Sequence, residues 1–231
     1  MSVKFSGFTK AGFDFLDDLK ENNSRDWFAE NKSKYRESLQ DHLLDFIEDM
    51  GEPIAKITPH FVADARRNGG SMFRIHRDVR FSKDKRPYKE HAACHFRHSL
   101  GRDAHAPGFY VHLATDEVLY GAGIWMPPSD ALYMIRRAIS DRPDQWSKVL
   151  NDKKMKKVFG EIGGDGLKRP PKGFSADDPH IDDLKRKTFF LMHRTTAEAA
   201  QRPEFLHEVV EGFKATMPLM HFLCKAVDVP C

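Results

Sequence analysis

The sequence predicts one α+β domain over residues 1–231, with a central, mostly antiparallel sheet flanked by N-terminal and C-terminal helices. Residues 9–51 place apolar side chains at helical spacing, the middle of the chain alternates apolar and polar residues, and helical spacing returns after Pro203. A chain of 231 residues suits a single core, and no internal repeat or long linker divides it.

The N-terminal part is predicted to form two main helices. Thr9 can cap the first helix, which Asn22-Asn23 ends. Ser24 then begins a longer helix that Gly51 closes.

The sheet is predicted from runs that alternate apolar and polar residues between short turns, and short turns favour antiparallel pairing. The predicted strands are residues 72–81, Ala92 to His98, Phe109 to Ala114, Val118 to Trp125 and Phe189 to His193. In the first of these, one face carries the apolar side chains and Arg77, and the other face carries polar ones. The apolar set is Phe73, Ile75, Val79 and Phe81, and the polar set is Arg74, His76, Asp78 and Arg80.

The C-terminal part is predicted to return to helices. Pro127-Pro128-Ser129 stops the sheet and caps one helix, and a second helix follows around Trp146. Pro203 opens a terminal helix that Pro218 should kink or interrupt. Trp125 and the phenylalanines are predicted to be core residues rather than a base-stacking surface.

Composition indicates an intracellular protein. The net charge is only +3, from 37 basic and 34 acidic residues. Cys94, Cys224 and Cys231 show no disulfide framework, and the apolar runs are too short for a membrane span. Because the start also lacks an apolar signal stretch, we expect a cytoplasmic protein without a membrane partner.

Positive charge is concentrated between residues 74 and 89, where only Asp78 and Asp84 oppose it. The basic residues are Arg74, Arg77, Arg80, Lys83, Lys85, Arg86 and Lys89. Guanidinium groups present donor forks that fit phosphate or carboxylate oxygens. Such a strand face can also be simply solvated, and Arg77, on the apolar side, would need a carboxylate partner.

From this cluster the sequence predicts an anion site. The expected anion-binding residues are Arg74, Arg77, Arg80, Lys85 and Lys89. On one strand Arg74 and Arg80 would lie about 20 Å apart, so each would need a partner from the following turn. Asp78, His76 and Tyr88 are the candidates for proton transfer.

Histidines form a second concentration, at His91, His95, His98, His105 and His112. His91 and His95 would share a face of a helix or a strand, which makes them weak candidates for metal ligands. No HExxH or paired CxxC pattern accompanies them. The sequence therefore predicts no metal site, and it does not identify a cofactor.

The stretch Arg74 to Lys89 contains the pattern R-x-x-R-D-x-R-F-x-x-D-K-x-P-Y-K. This pattern resembles the hallmark of a family of conserved hypothetical proteins of bacteria and fungi, catalogued as a domain of unknown function. The resemblance extends to the opening Phe5-x-Gly7-Phe8, to Asn22-Asn23 with Trp27-Phe28, to Gly121-x-Gly123-x-Trp125 and to the helix with Arg136. It implies one compact domain and carries no activity.

Two functional hypotheses follow from the residues. The first is that the domain binds a phosphorylated or other anionic small molecule, with or without turnover. The second is a non-catalytic module that binds nucleic acid or another acidic partner, which predicts strong salt dependence. A structural or protein-interaction role and a metal-dependent enzyme stay open as further alternatives, and the sequence leaves the oligomeric state undetermined.

Overall fold

A computed structural model describes residues 4–100 and 106–231 of the chain. The helices are α1 Lys10–Glu21, α2 Arg25–Glu30, α3 Lys32–Tyr35, α4 Asp41–Asp49, α5 Gly51–Ile57, α6 Ser129–Asp141, α7 Pro143–Leu150, α8 Lys153–Phe159, α9 Ile181–Leu184, α10 Ala197–Ala200 and α11 Phe205–Ala226. The strands are β1 Phe61–Val62, β2 Ala92–His98, β3 Gly108–Leu113, β4 Val118–Ile124 and β5 Phe189–Thr195. This order of elements confirms the predicted α+β class.

The five strands form one antiparallel sheet in the order β1-β2-β3-β4-β5. The predicted β2 agrees with the structure at both ends, and β3 and β4 form the predicted hairpin. Within the described residues, no helix combines the length and the apolar character needed to cross a membrane.

The predicted long helix from Ser24 to Gly51 is divided into several pieces. The first piece ends at Asn31, whose side-chain Nδ2 donates to the Trp27 carbonyl at 2.9 Å. A π-helical turn, Arg36–Gln40, precedes α4, and Gly51 begins α5 instead of closing the helix. By contrast, α1 begins and ends as predicted, with the Thr9 hydroxyl accepting from the Gly12 amide at 3.0 Å.

The terminal helix α11 continues through Pro218 to Ala226, so the expected interruption is wrong. It lies against one face of the sheet, where the Phe213 ring stacks on Phe109 with centroids 4.6 Å apart. The β3 side chains alternate accordingly: Phe109 and Val111 are buried in this core, whereas Tyr110 and His112 point to the opposite face. The second face of the sheet is therefore left for other contacts.

A smaller apolar cluster holds α1, α2 and α3 to the chain around Ile75 and Tyr88. The Phe28 ring of α2 stacks on Tyr88 with centroids 4.1 Å apart. Asn23 adds two hydrogen bonds at 3.1 Å, donating from Nδ2 to the Tyr88 carbonyl and accepting at Oδ1 from the Tyr88 amide. The beginning of α2 is thus fixed next to the basic segment.

The prediction of a strand over residues 72–81 is wrong. Residues 71–77 run antiparallel to 87–95 through the isolated bridges Met72–Cys94 and His76–Tyr88, and residues 78–86 form a loop between them. We call residues 78–86 the basic loop. Of the predicted apolar face only Ile75 is buried, and Phe81 is 95% exposed.

Two aspartates explain why alternation did not produce a strand. The Asp78 carboxylate accepts from the Arg80 amide at 3.2 Å, and Asp84 accepts from the Arg86 amide at 3.0 Å. Such local bonds from side chain to backbone bend the chain and compete with a ladder. Each aspartate therefore starts a turn where periodicity alone indicates an extended segment.

Candidate functional site

Most cations of the basic loop are neutralised within the segment itself. Arg80 grips Asp78 with two bonds, from Nε at 3.0 Å and from Nη2 at 2.7 Å. Asp84 accepts from Arg77 at 2.6 Å and from Arg86 at 2.7 Å, and these bonds hold the pKa of its carboxyl well below the usual range. Arg77 thereby has the carboxylate partner that its position requires.

The two predicted lysines donate to backbone carbonyls. Lys85 Nζ lies 3.0 Å from the Val79 carbonyl oxygen, and Lys89 Nζ lies 2.9 Å from that of Arg74. Lys89 is half-buried, and this burial lowers its pKa, with a smaller contribution from the charge of Arg74. Its ammonium group also lies 5.1 Å from the centroid of the Phe73 ring.

A different group of cations surrounds His76. In the described part of the chain, Arg25, Lys32 and Arg74 form no ion pair with a carboxylate. The pKa of His76 is lowered by partial desolvation of its ring and by the charges of Arg74, Lys32 and Arg25. We call these three residues the cationic patch, because they concentrate positive charge that no carboxylate of a described residue pairs with.

Packing brings the cationic patch together from distant parts of the sequence. The His76 ring lies 5.1 Å from Tyr88 and 6.2 Å from Phe28, measured between centroids. Phe28 belongs to α2, which begins at Arg25, and Lys32 begins α3. The sequence predicted Arg74 here, but the spacing along the chain gave no signal for Arg25 or Lys32.

The face of the sheet opposite α11 carries a groove of about 550 Å³. Its aromatic walls include Phe73, Tyr110, Trp125 and Phe190. Gly121 and Gly123 of β4 allow the backbone of β5 to approach closely, because a Cβ atom at either position would clash with a β5 carbonyl oxygen. We call this cavity the sheet groove; its volume falls within the range typical of small-molecule sites.

His95 lies in the sheet groove with its ring parallel to Phe73, at a centroid distance of 6.2 Å. Burial lowers the pKa of His95 to about 4, so the ring is neutral at pH 7. Arg97 Nε donates to His95 Nδ1 at 3.3 Å, which leaves the proton of the neutral ring on Nε2. That nitrogen lies over Gly108, where a Cβ atom would come within 2.0 Å of it.

Tyr110 and His112 form a hydrogen-bonded pair in the same groove. Tyr110 Oη lies 3.1 Å from His112 Nδ1, and burial raises the pKa of the phenol to about 12. The His112 ring stacks on His91 at 4.4 Å, and burial lowers the pKa of His91 to about 4. A neutral imidazole bonded to a protonated phenol can accept or donate a proton, as acid–base chemistry requires.

The sheet groove continues into a polar cleft of about 350 Å³. His112 and Glu117 line both cavities, and the cleft also contains Glu90, His91 and Asp116. The Glu117 carboxylate pairs with Arg194 of β5. Charged groups therefore stand at the end of a groove whose walls are aromatic.

The three predicted proton-transfer residues lie in different surroundings. Asp78 is bound by Arg80, which lowers the pKa of its carboxyl. Tyr88 is buried in the smaller apolar cluster, and His76 is exposed beside the cationic patch. The structure does not bring these three side chains to one point, and their catalytic role stays a prediction.

The predicted histidine cluster is likewise distributed over several environments. His91 and His95 border the polar cleft and the sheet groove respectively, and His98 is buried with Nε2 2.7 Å from the Pro230 carbonyl oxygen. His105 lies outside the described residues. Across residues 4–100 and 106–231, no three His, Cys, Asp or Glu side chains are grouped to hold a metal ion.

Two aromatic residues contradict the expectation that they belong to the core. Trp125 is 60% exposed and packs at 5.2 Å against Phe190. Phe81 is 95% exposed in the basic loop. Trp125 falls just beyond the end of β4, and Phe81 lies in the turn region that the aspartates create.

The sequence analysis also missed a Ser–His–Asp arrangement. Ser147 Oγ lies 2.9 Å from His180 Nε2, and His180 Nδ1 lies 3.9 Å from Asp183 Oδ2. Asp183, however, accepts from Trp146 Nε1 and from Arg186 Nε, each at 2.8 Å. The group lies outside the two cavities described above, and its bonds join α7 to α9, which indicates a structural role.

Comparison with known proteins identifies the family. Neither the comparison with curated proteins nor that with solved structures found a match. The sequence matches the family described as Conserved hypothetical protein (DUF2461) over residues 11–222, a range that includes the cationic patch and the sheet groove. The chain therefore belongs to this family of conserved hypothetical proteins.

Proposed function

We propose that the domain binds a small anionic molecule, with its phosphate or similar group at the cationic patch and its apolar part in the sheet groove. The observation that carries this proposal is a set of three cations that pair with no carboxylate of a described residue, one of which, Arg74, directly follows the groove residue Phe73 in the chain. Uncompensated cations favour an anion because guanidinium and ammonium groups form strong charge-assisted bonds with its oxygens.

The two halves of the proposed site are connected by Phe73, Arg74 and Lys89. Phe73 lines the sheet groove, and Arg74, the next residue, belongs to the cationic patch. Lys89 bonds to the Arg74 carbonyl and lies over the Phe73 ring. A molecule with an aromatic ring and an anionic group could therefore contact both parts at once.

The proposal retains Arg74 and Lys89 from the predicted anion-binding set and adds Arg25 and Lys32. Arg77 and Arg80 each already bind a carboxylate, and Lys85 donates to a carbonyl. An anion at either arginine would have to compete with the carboxylate already bound there. Lys85 and Lys89 each use one of three donors on a carbonyl, and Lys89 is retained because its ammonium group also lies over the Phe73 ring.

We expect 1-naphthyl phosphate to stabilise the protein, and inorganic phosphate or 1-naphthol alone to do so less at the same concentration. At a hundred times its dissociation constant, a ligand adds about 2.7 kcal/mol, which corresponds to roughly 5–10 °C in Tm at this size. The measurement is a thermal-shift titration at fixed ionic strength. No shift with any of the three compounds would contradict the proposal.

Two double variants, each of which removes two positive charges, test where the anion binds. Lys32→Met/Arg74→Met should weaken binding of 1-naphthyl phosphate at least about tenfold, because each lost charge-assisted bond contributes about 1.5–3 kcal/mol. Arg80→Met/Lys85→Met removes the same charge and should leave binding within about threefold. An equal or larger loss in the second variant would move the anion to the basic loop.

Affinity for 1-naphthyl sulfate, whose charge is constant between pH 5.5 and 8, should rise as pH falls. The pKa of His76 is below its ordinary value in the free protein, and a bound anion would raise it. Between the two pKa values the complex therefore binds more protons than the free protein does. The affinity increases by up to about tenfold for each unit by which the bound anion raises the pKa of His76.

His76→Gln is the variant that tests this origin of the pH effect. Isothermal titration should give a flatter pH profile for His76→Gln than for the unaltered protein. Burial also lowers the pKa of His95 and His112 in the sheet groove, and both residues are unchanged in this variant. An unchanged slope in His76→Gln would therefore assign the effect to the groove.

A further inference from the structure

The basic loop presents a phenylalanine that the fold does not use for packing. Phe81 is 95% exposed, whereas burial of such a side chain normally contributes about 1.5–3 kcal/mol. A fold with many other buried phenylalanines leaves this ring in water, where it gains none of that stabilisation. The ring is therefore available to a partner outside the domain.

Bonds on both sides of Phe81 hold the basic loop in this form. Arg80, the preceding residue, is fixed by the two bonds to Asp78. On the other side, Lys85 Nζ donates to the Val79 carbonyl at 3.0 Å, and Arg77 pairs with Asp84. These bonds fix the loop that carries Phe81, so the loop does not have to become ordered when a partner binds.

One cation lies near the exposed ring, and others follow it in the sequence. The Arg80 guanidinium carbon lies 5.8 Å from the centroid of Phe81. The basic loop contains four cations against two carboxylates, and both carboxylates are already bound by arginines. Lys83, two residues after the ring, forms no ion pair with any described residue.

We propose that the basic loop binds single-stranded nucleic acid, with one base stacked on Phe81 and the adjacent phosphates held by Lys83 and Lys85, which pair with no described carboxylate. An aromatic ring flanked by cations supplies the two contacts on which sequence-tolerant binding of single strands depends. In a duplex the bases are already stacked on each other, so the ring gains nothing there. This proposal is independent of the small-molecule site.

A lipid surface explains the same features less well. Stable attachment of a protein to a membrane requires a larger apolar area than one side chain, usually with a second anchoring signal. Stacking on one base requires only the single ring.

The test measures binding of a fluorescently labelled 20-nucleotide oligothymidine by anisotropy, beside the same length of oligouridine and of a mixed-sequence duplex. Both single strands should bind more tightly than the duplex. Log affinity should fall with log salt with a slope of about −1.4, as expected for two phosphate contacts on a single strand.

Phe81→Ala should weaken binding of the oligothymidine about tenfold, and Phe81→Tyr should retain it. The matched control is Leu100→Ala, since Leu100 is also apolar and 70% exposed but lies outside the basic loop. Because both side chains lie in water, neither change should affect folding, which thermal unfolding verifies.

Three results would overturn the proposal. The first is absence of binding to either single strand at about 50 mM salt. The second is undiminished binding in Phe81→Ala, which would mean that positive charge alone accounts for the affinity. The third is a Phe81→Ala variant that no longer binds phosphatidylserine vesicles but still binds oligothymidine. That result would identify Phe81 as a membrane contact. The variant Lys32→Met/Arg74→Met separates the two proposals, because it should impair the small-molecule site and leave stacking on Phe81 intact.

Discussion

Replacing Asp183 with alanine is expected to lower the free energy of unfolding by about 3 kcal/mol. The Asp183 carboxylate, 12% exposed, accepts from the fully buried indole of Trp146 and from Arg186, each at 2.8 Å. The change leaves a buried N–H group and a largely buried guanidinium without their acceptor. At this chain length it should lower Tm by roughly 6–12 °C, measured by thermal and urea unfolding at pH 7.5.

The neighbouring Asp182 provides the control. Its side chain is 91% exposed and pairs with Lys185 at the surface, at 3.0 Å. Asp182→Ala should therefore change stability by no more than about 0.5 kcal/mol. Equal losses in the two variants would mean that the buried bonds of Asp183 contribute nothing beyond a surface charge.

The regular elements with strong periodicity were predictable from the sequence. β2 and β3 alternate because one face packs in the core with α11 and the other lines the sheet groove. The Thr9 cap was predictable because its hydroxyl bonds within its own turn. In these cases local sequence and tertiary packing favour the same structure.

The segment from residue 72 to residue 81 was not predictable by alternation. Its pattern is that of a strand, but Asp78 and Asp84 offer the backbone local bonds in place of a ladder. The same aspartates neutralise Arg77, Arg80 and Arg86. A count of charges along the chain therefore overstated how much positive charge the segment offers a ligand.

The cationic patch depends on contacts that no local pattern contains. Arg25 and Lys32 reach His76 because Phe28 stacks on Tyr88 and Asn23 bonds to the Tyr88 backbone. Alternation in β3 does place Tyr110 and His112 on one face, but it does not show that this face is open.

Acidification from pH 7.5 to pH 5 is expected to destabilise the protein, with His95 alone contributing on the order of 2 kcal/mol. Burial lowers the pKa of His95 from the ordinary 6.5 to about 4 in the folded protein. Below pH 6.5 the unfolded chain therefore takes up more protons than the folded one. Stability is lost as pH falls from about 6.5 towards 4, and His91 and His112 act in the same direction.

His95→Gln isolates this contribution because glutamine does not titrate. Urea unfolding at pH 7.5 and pH 5 gives the stability lost on acidification. This loss should be about 2 kcal/mol smaller in His95→Gln than in the unaltered protein, whatever the stability of the variant at pH 7.5. His207→Gln, a change at an exposed histidine of α11, should keep the full loss. If His95→Gln loses as much stability as the unaltered protein, the acid sensitivity lies elsewhere. If its loss is smaller by the expected amount, the groove keeps His95 neutral at a cost in stability at acid pH. A site that uses neutral imidazoles as donors and acceptors requires this.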